Sequence, residues 1–545
     1  MKVELNQEKW LPHLTSTVVS DARGWNLDAY VIALEGWRRG LTLKWHTKDL
    51  DKFKEMKTWF VDTPGRLFSL SSSSRTHYFF RTRGDLVPNE AVEIGSDKFK
   101  TKQVLASLNI PIPKGKSFDQ QADQSTIVAY AEALGYPIVI KPIDGSFGRG
   151  VFTNVMSEVE LIEGLKYIRT TLQEQEVIVE KHVTGKEYRM YVVNDQVVGA
   201  INRIPANIMG DGLRTISTLI RDKNKQRGLN PRLFSCPIVV NDELNRFIEF
   251  KGYTIHDVPK KNEKVYLNDK SNISQGGDSI DVLDELPNEI KRTAIEAIQA
   301  IPGLHHGAVD LIIDQNETDI SRAGTVLELN PTSQIGSLIF PMTGIARDIP
   351  AAIIDYYFPE TANQSYSNHQ MYFGFTESIA PLTKRVANTV QVTELTAEKV
   401  EAERIDISVW TSDDNKALER YIKRIAVRSK ISGKVKGTES NGIQIIAAGT
   451  RDNLNCFRDR LEAIQSKFNF SIEEISRHLE SVRLGFTIKS EKGFYINSIR
   501  DSERIAMNLV SEKAKLEKRY RQMLASNSWK VTAPVRKITG VLKRK

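Results

Sequence analysis

The sequence predicts a multidomain protein of the α/β (α+β) class. Its 545 residues are more than one hydrophobic core usually supports, so about two to four domains are expected. From about residue 110 to residue 358, apolar strand-like runs alternate with helical patterns, which is typical of α/β and α+β enzymes. The chain shows no internal repeat with a period of roughly 20–50 residues.

Composition excludes several classes of protein. Hydrophobic residues make up 40% of the chain and charged residues 26%, which is ordinary for a soluble globular protein. No apolar run reaches the roughly eighteen residues of a membrane span, and the first residues lack the apolar core of a signal peptide. The two cysteines, Cys236 and Cys456, lie far apart, which excludes a disulfide framework and favours a cytoplasmic location.

Five segments follow one another along the chain. The predicted boundaries are 1–92 for an N-terminal α/β, substrate-type domain, 93–360 for a central domain, 361–420 for a connecting segment, 421–492 for a small C-terminal domain, and 493–545 for a charged helix with a basic tail. In the first segment, Leu27 to Arg39 has helical spacing and Leu41 to Trp45 is strand-like. Helices are also predicted over 97–108 and 288–300.

A strand followed by a glycine-rich loop occupies residues 137–151. The strand ends near Lys141, and the loop contains Gly145, Ser146, Gly148 and Gly150. Glycines allow backbone N–H groups to close over phosphate oxygens, and a lysine adds a positive charge to the same group. The spacing is neither that of a P-loop nor that of the dinucleotide fingerprint. An ordinary glycine hairpin in a surface loop is the alternative.

Residues 177–191 read as a strand, a polar hinge and a second strand. Glu180 and Lys181 stand where the first strand ends, and Glu187 and Arg189 share one face of the second. A carboxylate can accept hydrogen bonds from ribose hydroxyls, and an arginine can bind a carboxylate or phosphate through two bonds. A solvated charged hairpin is the alternative.

Two apolar strands between residues 309 and 331 end in oxygen ligands. Asp310 lies on the first strand, and Glu328 and Asn330 project together from the second. Two carboxylates and an amide oxygen suit Mg²⁺, which prefers oxygen ligands and completes its coordination with water and phosphate. A hairpin with polar residues on its open face is the alternative.

Together with Asp97-Lys98 at a helix start, these motifs occur in one order over about 235 residues, and they resemble the ATP-grasp superfamily. The segment 203–220 is similar to the ATP-grasp module of cyanophycin synthetases and of fused bacterial glutathione synthetases. The resemblance implies an ATP-grasp fold for the central domain, with ATP and Mg²⁺ as cofactors and Mn²⁺ as an alternative metal.

The resemblance also implies a role for individual residues. Lys98 and Lys141 would hold the nucleotide phosphates, Gly145, Ser146, Gly148 and Gly150 would cover them, Glu180, Lys181 and the backbone of Val183 would recognise adenine, Glu187 would bind ribose, and Asp310, Glu328 and Asn330 would bind magnesium. Arg203 would lie near the transferred phosphate, with Arg189 and Asn207 on the acceptor side. The Gly210-Asp211-Gly212 run is expected to shape a turn, and His305 and His306 to have structural or surface positions.

The implied activity is that of a carboxylate–amine ligase that forms an acyl-phosphate and releases ADP. Positioning and charge neutralisation would provide the catalysis, as in other phosphoryl transfers. Two alternatives stay open: a nucleotide-sensing module that does not ligate, and a kinase that releases a phosphorylated product. Nucleic acid is not expected as a partner, because no stacking platform accompanies the basic residues outside the tail. Formation of a homo-oligomer is left open.

The C-terminal part of the chain adds two weaker resemblances. Residues 420–490 resemble a ferredoxin-like, acylphosphatase-like domain, but Thr438 follows the Gly-Lys-Val loop where that family has an arginine, so a scaffold or binding role is expected. The tail, residues 526–545, resembles the C-terminal ends of cell-surface polysaccharide glycosyltransferases. Its Trp529 among cations fits peripheral contact with the inner face of an anionic membrane and a role in surface-polymer synthesis. A disordered basic tail is the alternative.

Overall fold

The computed structural model of the chain describes residues 10–143, 150–320, 322–362, 370–395, 398–410, 415–438 and 442–489. Gly145, Ser146 and Gly148 of the glycine loop, the predicted charged helix and the basic tail lie outside these residues. The chain forms two compact units, the first of which comprises Met1–Ala402 with two short later segments, Ala448–Leu454 and His478–Gly485. Within the described ranges, no helix is both long and apolar enough to cross a membrane.

The N-terminal part of the first unit is built around a helix buried along its whole length. Its elements are α1 (Leu27–Arg38), β1 (Thr42–His46), α2 (Asp51–Glu55), β2 (Leu67–Ser71), β3 (Thr76–Phe80), β4 (Arg83–Gly84), α3 (Asn89–Ser96) and α4 (Lys98–Ser107). All twelve residues of α1 are buried. The one acidic group in its first turn, Asp28, is neutralised by Arg81, whose Nη2 lies 2.8 Å from its Oδ2. An internal ion pair of this kind lets a helix with charged residues pack inside the domain.

A small sandwich follows. It contains β5 (Gly115–Phe118), α5 (Gln124–Leu134), β6 (Ile138–Pro142), β7 (Phe152–Val155), α6 (Glu158–Lys166) and β8 (Val177–Lys181). The strands form a sheet in the order β5-β8-β6-β7. Apolar residues of both helices and of the sheet share one core, which includes Ile127, Ile140 and Leu161. The shared core therefore fixes the position of the ends of β6 and β8.

A five-stranded sheet, called the central sheet below, follows in the first unit. The elements from there to the end of the predicted central domain are β9 (Lys186–Val193), β10 (Gln196–Ile204), β11 (Asn207–Met209), α7 (Ile216–Leu229), α8 (Asp242–Phe250), β12 (Lys264–Tyr266), β13 (Asp278–Asp281), α9 (Asn288–Gln299), β14 (His306–Ile313), β15 (Gly324–Asn330), α10 (Gly336–Ile339) and α11 (Ile349–Tyr357). The sheet order is β13-β10-β9-β14-β15. One face packs against α9 through residues such as Met190, Val309 and Leu329. Since neighbouring strand residues point to opposite faces, Arg189, Asp310 and Glu328 project from the other face.

The chain then returns to the N-terminal sheet. After β16 (Met371–Tyr372) and α12 (Phe375–Thr383), β17 (Thr389–Gln391) pairs antiparallel with β1 and gives the order β17-β1-β2-β3-β4. These elements lie within residues 361–420, a predicted connecting segment in which the sequence indicated a strand only around residues 405–410. The reason for the difference is that a three-residue strand has no periodicity of its own, and its partner lies more than three hundred positions earlier in the chain.

The second unit contains a five-stranded sheet. The elements between residues 401 and 489 are β18 (Glu401–Val409), α13 (Asn415–Arg428), β19 (Ser432–Gly437), β20 (Gly442–Gly449), α14 (Arg451–Glu462), α15 (Gln465–Phe468), β21 (Phe470–Arg477), β22 (Val482–Arg483) and β23 (Phe486–Lys489). Of these, β22 belongs to the first unit. The order is β21-β18-β20-β19-β23. The first strand begins at Glu401, about twenty residues before the predicted boundary at 421. The mixed α/β class is confirmed, whereas the acylphosphatase-like assignment stays a prediction.

Candidate active site

Polar side chains form a row across the central sheet, on the face opposite α9. Arg189 on β9 pairs in register with Asp310 on β14, which in turn pairs with Glu328 on β15. A register shift directly after Asp310 interrupts the β14–β15 ladder. Such irregularities re-aim side chains and are common beside functional sites. The two predicted metal strands therefore are neighbours, and their ligand residues lie side by side.

Asp310 is the centre of this row. Its carboxylate, 1% exposed, accepts hydrogen bonds from Arg189 Nε and Nη2, both at 2.7 Å, and from Arg203 Nη2 at 3.0 Å. Burial raises the pKa of Asp310, but the charges of Arg189 and Arg203 outweigh burial and hold that pKa below its ordinary value. The carboxylate is therefore ionised at neutral pH, which is the state that binds a divalent cation.

Arg203 also contacts Glu187, the predicted ribose ligand. The Nη2 of Arg203 reaches both Glu187 Oε1 and Asp310 Oδ2, so one guanidinium links two predicted ligands. Burial raises the pKa of Glu187, and the charge of Arg203 opposes that rise. The sequence predicted each of these residues separately, and the structure brings them together on one face.

Glu328 and Asn330 complete the metal side. They project from the same face of β15, and Asn330 Nδ2 donates to Glu328 Oε1 at 3.3 Å, which leaves the amide oxygen free to face the site. No group of three or more His, Cys, Asp or Glu side chains among the described residues is arranged for a metal ion. A cation here would therefore depend on two carboxylates, one amide oxygen and ligands from a nucleotide, which fits the oxygen preference and incomplete protein coordination of Mg²⁺.

The predicted phosphate side lies where α4, β6 and β8 converge. Lys98 opens α4, and its Nζ donates to the backbone oxygen of Ile143, immediately before the glycine loop. Lys141 on β6 forms an ion pair with Glu180 on β8, with 2.8 Å between Nζ and Oε2. Gly150 has φ 73°, and an added Cβ would contact Leu172 at 2.6 Å, so both its conformation and its space require glycine.

The charges of the two sides influence each other. Burial lowers the pKa of Lys141 to about 8, and the nearby carboxylate of Glu328 opposes this lowering while Lys98 adds to it. The charge of Glu328 thus acts on Lys141 although one lies on β15 and the other on β6. Lysines and a metal-type carboxylate around one space are suited to a polyphosphate with its cation.

The structure adds a residue that the sequence interpretation missed. Lys102 on α4 forms an ion pair with the second oxygen of Glu180, and its side chain is 11% exposed. Lys102 lies four positions after Lys98, so both face the same side of α4. This spacing was the signal available in the sequence.

Several predicted residues have other contacts. Lys181 Nζ donates to the backbone oxygens of Gly135 and Tyr136 and so ties the end of β8 to the small sandwich. Asn207 donates to Asp278 Oδ2 at 3.0 Å and accepts from Lys223, in a network that attaches β11 to the edge of the central sheet. Val183 follows in the hinge and is half-buried.

Other polar residues singled out in the sequence have structural positions. His306 is fully buried between the hydroxyls of Tyr191 and Tyr357, at 3.2 and 3.0 Å. Asp211 accepts hydrogen bonds from two backbone N–H groups in its own turn, and Gly212 there has φ 76°. These contacts account for both segments without a role in chemistry.

Comparison with known proteins finds a family match in the part of the chain that contains the predicted phosphate side. Residues 95–212 match the family described as RimK-like ATP-grasp domain. Over 262 residues the chain is 34% identical to the glutathione biosynthesis bifunctional protein GshAB of Desulfotalea psychrophila, an overlap of 48% of this chain and 33% of that protein. Over 276 residues it is 33% identical to cyanophycin synthetase of Synechocystis sp., an overlap of 49% and 31%.

The chain thus spans about a third of the length of these curated relatives. A crystal structure of a bifunctional glutathione synthetase from Pasteurella multocida aligns with 58% of this chain and 42% of its own, at 28% identity and a TM-score of 0.43. The family match covers Lys98, Lys141, Glu180, Glu187 and Arg203. The chain therefore contains an ATP-grasp domain of the RimK-like family.

Proposed function

We propose that this protein is an ATP-dependent ligase that joins a carboxylate to an amine and releases ADP. The observation that supports this most is the buried row on the central sheet, in which Arg203 joins Glu187 to Asp310 beside Glu328. The family match, which covers the lysines and both arginines, supports the same conclusion. The names of the relatives favour amino-acid or peptide-like substrates.

The proposed reaction has two steps. A substrate carboxylate oxygen attacks the γ-phosphorus of ATP, the bond to the bridging oxygen breaks, and ADP leaves. The amine nitrogen then attacks the acyl carbon of the acyl-phosphate, inorganic phosphate leaves, and the nitrogen loses a proton. Neither step needs a nucleophile from the protein, so the residues position the reactants and neutralise charge.

The described residues suit these tasks. Lys98 and Lys141 would bind phosphate oxygens, and Asp310, Glu328 and Asn330 would hold Mg²⁺, which neutralises phosphate charge when bound. Arg203, already shared by Glu187 and Asp310, would approach the transferred phosphate, and Arg189 would keep Asp310 ionised and oriented. The N-terminal domain would contribute to binding of the acid.

Substitution of the metal-side carboxylates tests the proposal. ADP release and amide formation are measured with the full chain, Mg²⁺-ATP and pooled amino acids and small acids, and hydroxylamine is added separately to trap an acyl-phosphate as a hydroxamate. Asp310→Asn and Glu328→Gln should each lower kcat by roughly a hundredfold or more, because a lost metal ligand leaves phosphate charge uncompensated. Glu317→Gln, in the exposed turn of the same hairpin, is the matched control and should keep full activity.

The outcomes separate the alternatives. ADP, phosphate and amide in equal amounts support the ligase. A stable phosphorylated product without free phosphate would identify a kinase, and tight ATP binding with no turnover across the pools would identify a sensing module. Either of the last two results contradicts the proposed reaction.

The tail provides the basis for a second part of the proposal. Residues 526–545 combine Trp529 with several cations, which suits peripheral binding to the cytoplasmic face of an anionic membrane and work on a cell-surface polymer. Deletion of residues 526–545 should move the protein from washed membranes to the supernatant while ADP release persists. Unchanged membrane association after the deletion would contradict this assignment.

A further inference from the structure

Glu180 is held by two lysines from two different elements. Its carboxylate, 2% exposed at the end of β8, pairs through Oε2 with Lys141 of β6 and through Oε1 with Lys102 of α4. The side chains of both lysines are nearly buried, at 12% and 11% exposed. This triad lies within the segment that matches the ATP-grasp family, but only two of its members have a predicted role at the nucleotide.

The proposed function requires the side chain of Lys141 to serve two partners. Its ammonium pairs with Glu180, whereas ATP binding requires it at a phosphate oxygen. A buried carboxylate left without a counter-charge is strongly unfavourable. If Lys141 were the sole partner of Glu180, its transfer to phosphate would leave such a carboxylate, and ATP would bind weakly.

Lys102 removes this conflict. We propose that Lys102 is a positioning residue of the nucleotide site, which keeps Glu180 neutralised and in place so that Lys141 can exchange Glu180 for a phosphate of ATP. This inference rests on the proposed nucleotide site. Two ammonium groups around one carboxylate, with Lys98 on the same face of α4, leave an excess of positive charge that an anion must balance. Burial and the charge of Lys141 lower the pKa of Lys102, whereas the ion pair with Glu180 favours its charged form.

The test is a double-mutant cycle on ATP binding, measured by calorimetry with the full chain and Mg²⁺-ATP. Lys102→Met should raise the Kd for ATP by roughly tenfold or more, since Lys141 must then stay with Glu180. Lys100→Met is the matched control, because Lys100 lies on the same helix with 60% of its side chain exposed and pairs with Asp97. It should bind ATP as the unmodified protein does.

The second comparison in the cycle, made in the Glu180→Gln variant, distinguishes a positioning role of Lys102 from direct binding of ATP by Lys102. In a Glu180→Gln background the buried charge is gone, so Lys102→Met should have little further effect on ATP affinity. An equal loss in both backgrounds would mean that Lys102 contacts the nucleotide itself, and an unchanged Kd in the single variant would mean that it has no role. Either result overturns the inference.

Folding and the underlying function are checked separately. If Lys102→Met does not fold, rescue of its folding by Glu180→Gln, which removes the unpaired carboxylate, supports the role of Lys102 in neutralising Glu180, and failure of that rescue overturns the inference. At saturating ATP the kcat of Lys102→Met should match that of the unmodified protein, with the loss confined to KM. Absence of ATP binding in the unmodified protein would refute the proposed function, whereas binding with an additive cycle refutes only the role of Lys102.

Discussion

At the scale of single residues, the site depends on carboxylates whose charge is preserved by close cations. Asp310 is almost fully buried yet ionised, because two arginines outweigh the effect of burial on its pKa. Glu180 has the same arrangement with two lysines. Each cluster contains one carboxylate and two cationic side chains. A polyphosphate bound here would therefore meet cationic side chains at both clusters, and both carboxylates would stay ionised.

The proposed role of Lys141 predicts that the binding of ATP depends on pH. Burial lowers its pKa to about 8, and a lysine loses its charge as the pH rises through its pKa. The charged groups around it are Glu180, Lys102, Lys98 and Glu328. We expect kcat/KM for ATP to fall by roughly tenfold per pH unit above pH 8, since this parameter reports ionisations of the free enzyme.

An arginine at the same place provides the control for this prediction. Lys141→Arg keeps its charge across the range, so the fall above pH 8 should disappear even if the absolute rate is lower. Initial rates at subsaturating ATP between pH 7 and pH 9.5 measure it. Persistence of the same fall in Lys141→Arg would assign the ionisation to another group.

The residues that the sequence predicted best are those on regular strands. Alternation along single strands was enough to place Glu187 with Arg189, and Glu328 with Asn330, on shared faces. The pairing of β14 with β9 and β15, which brings Asp310 between them, is seen only in the structure. Lys102 escaped prediction because its role arises only where α4 meets β8, a contact between distant parts of the chain. Asn207 resembled an acceptor-side residue, and only the packing of β11 reveals its bonds to Asp278 and Lys223.

At the scale of elements, α1 is a helix whose position depends on one small residue. An added Cβ at Gly36 would lie 2.5 Å from Cδ1 of Leu70, a fully buried side chain on β2. The glycine therefore lets the helix pack closely on the N-terminal sheet. A larger residue must displace either Leu70 or the helix.

Two glycine-to-alanine substitutions should have opposite effects on the free energy of unfolding. Gly36→Ala should lower the free energy of unfolding by about 1–3 kcal/mol, because it overpacks the contact with Leu70. Gly228→Ala, near the end of α7 with no heavy atom within 4 Å of the added Cβ, should raise it by up to about 1 kcal/mol through helix propensity. Urea denaturation of both variants measures the difference, and destabilisation of similar size at both positions would contradict this account of Gly36.

At the scale of the molecule, the N-terminal sheet is completed by residues from beyond the central domain. Besides β17, the backbone oxygens of Met371, Phe373 and Thr393 accept hydrogen bonds from side chains of α1. The donors are Arg38 Nε at 2.8 Å, Tyr30 Oη at 2.8 Å and Trp37 Nε1 at 2.8 Å. The predicted boundary at 360 would thus divide a structural domain.

A fragment that ends at residue 360 should therefore not fold as the intact protein does. It loses β17, so β1 becomes an open edge, and three buried donors lose their acceptors. We expect this fragment to aggregate in size-exclusion chromatography, whereas the full chain should elute as a folded species. A monodisperse 1–360 fragment with a cooperative melting transition would contradict the prediction.

The pairing of β17 with β1 also determines when the N-terminal sheet can be completed during translation. His46 and Thr389, hydrogen-bonded neighbours in the finished sheet, are separated by 343 positions in the chain. At a translation rate of about 5–20 residues per second, roughly 20–70 seconds pass between their emergence from the ribosome. During that time the edge of β1 and the donors of α1 lack their partners in residues 371–393, so the sheet that contains β1 is completed only after the central sheet has been synthesised.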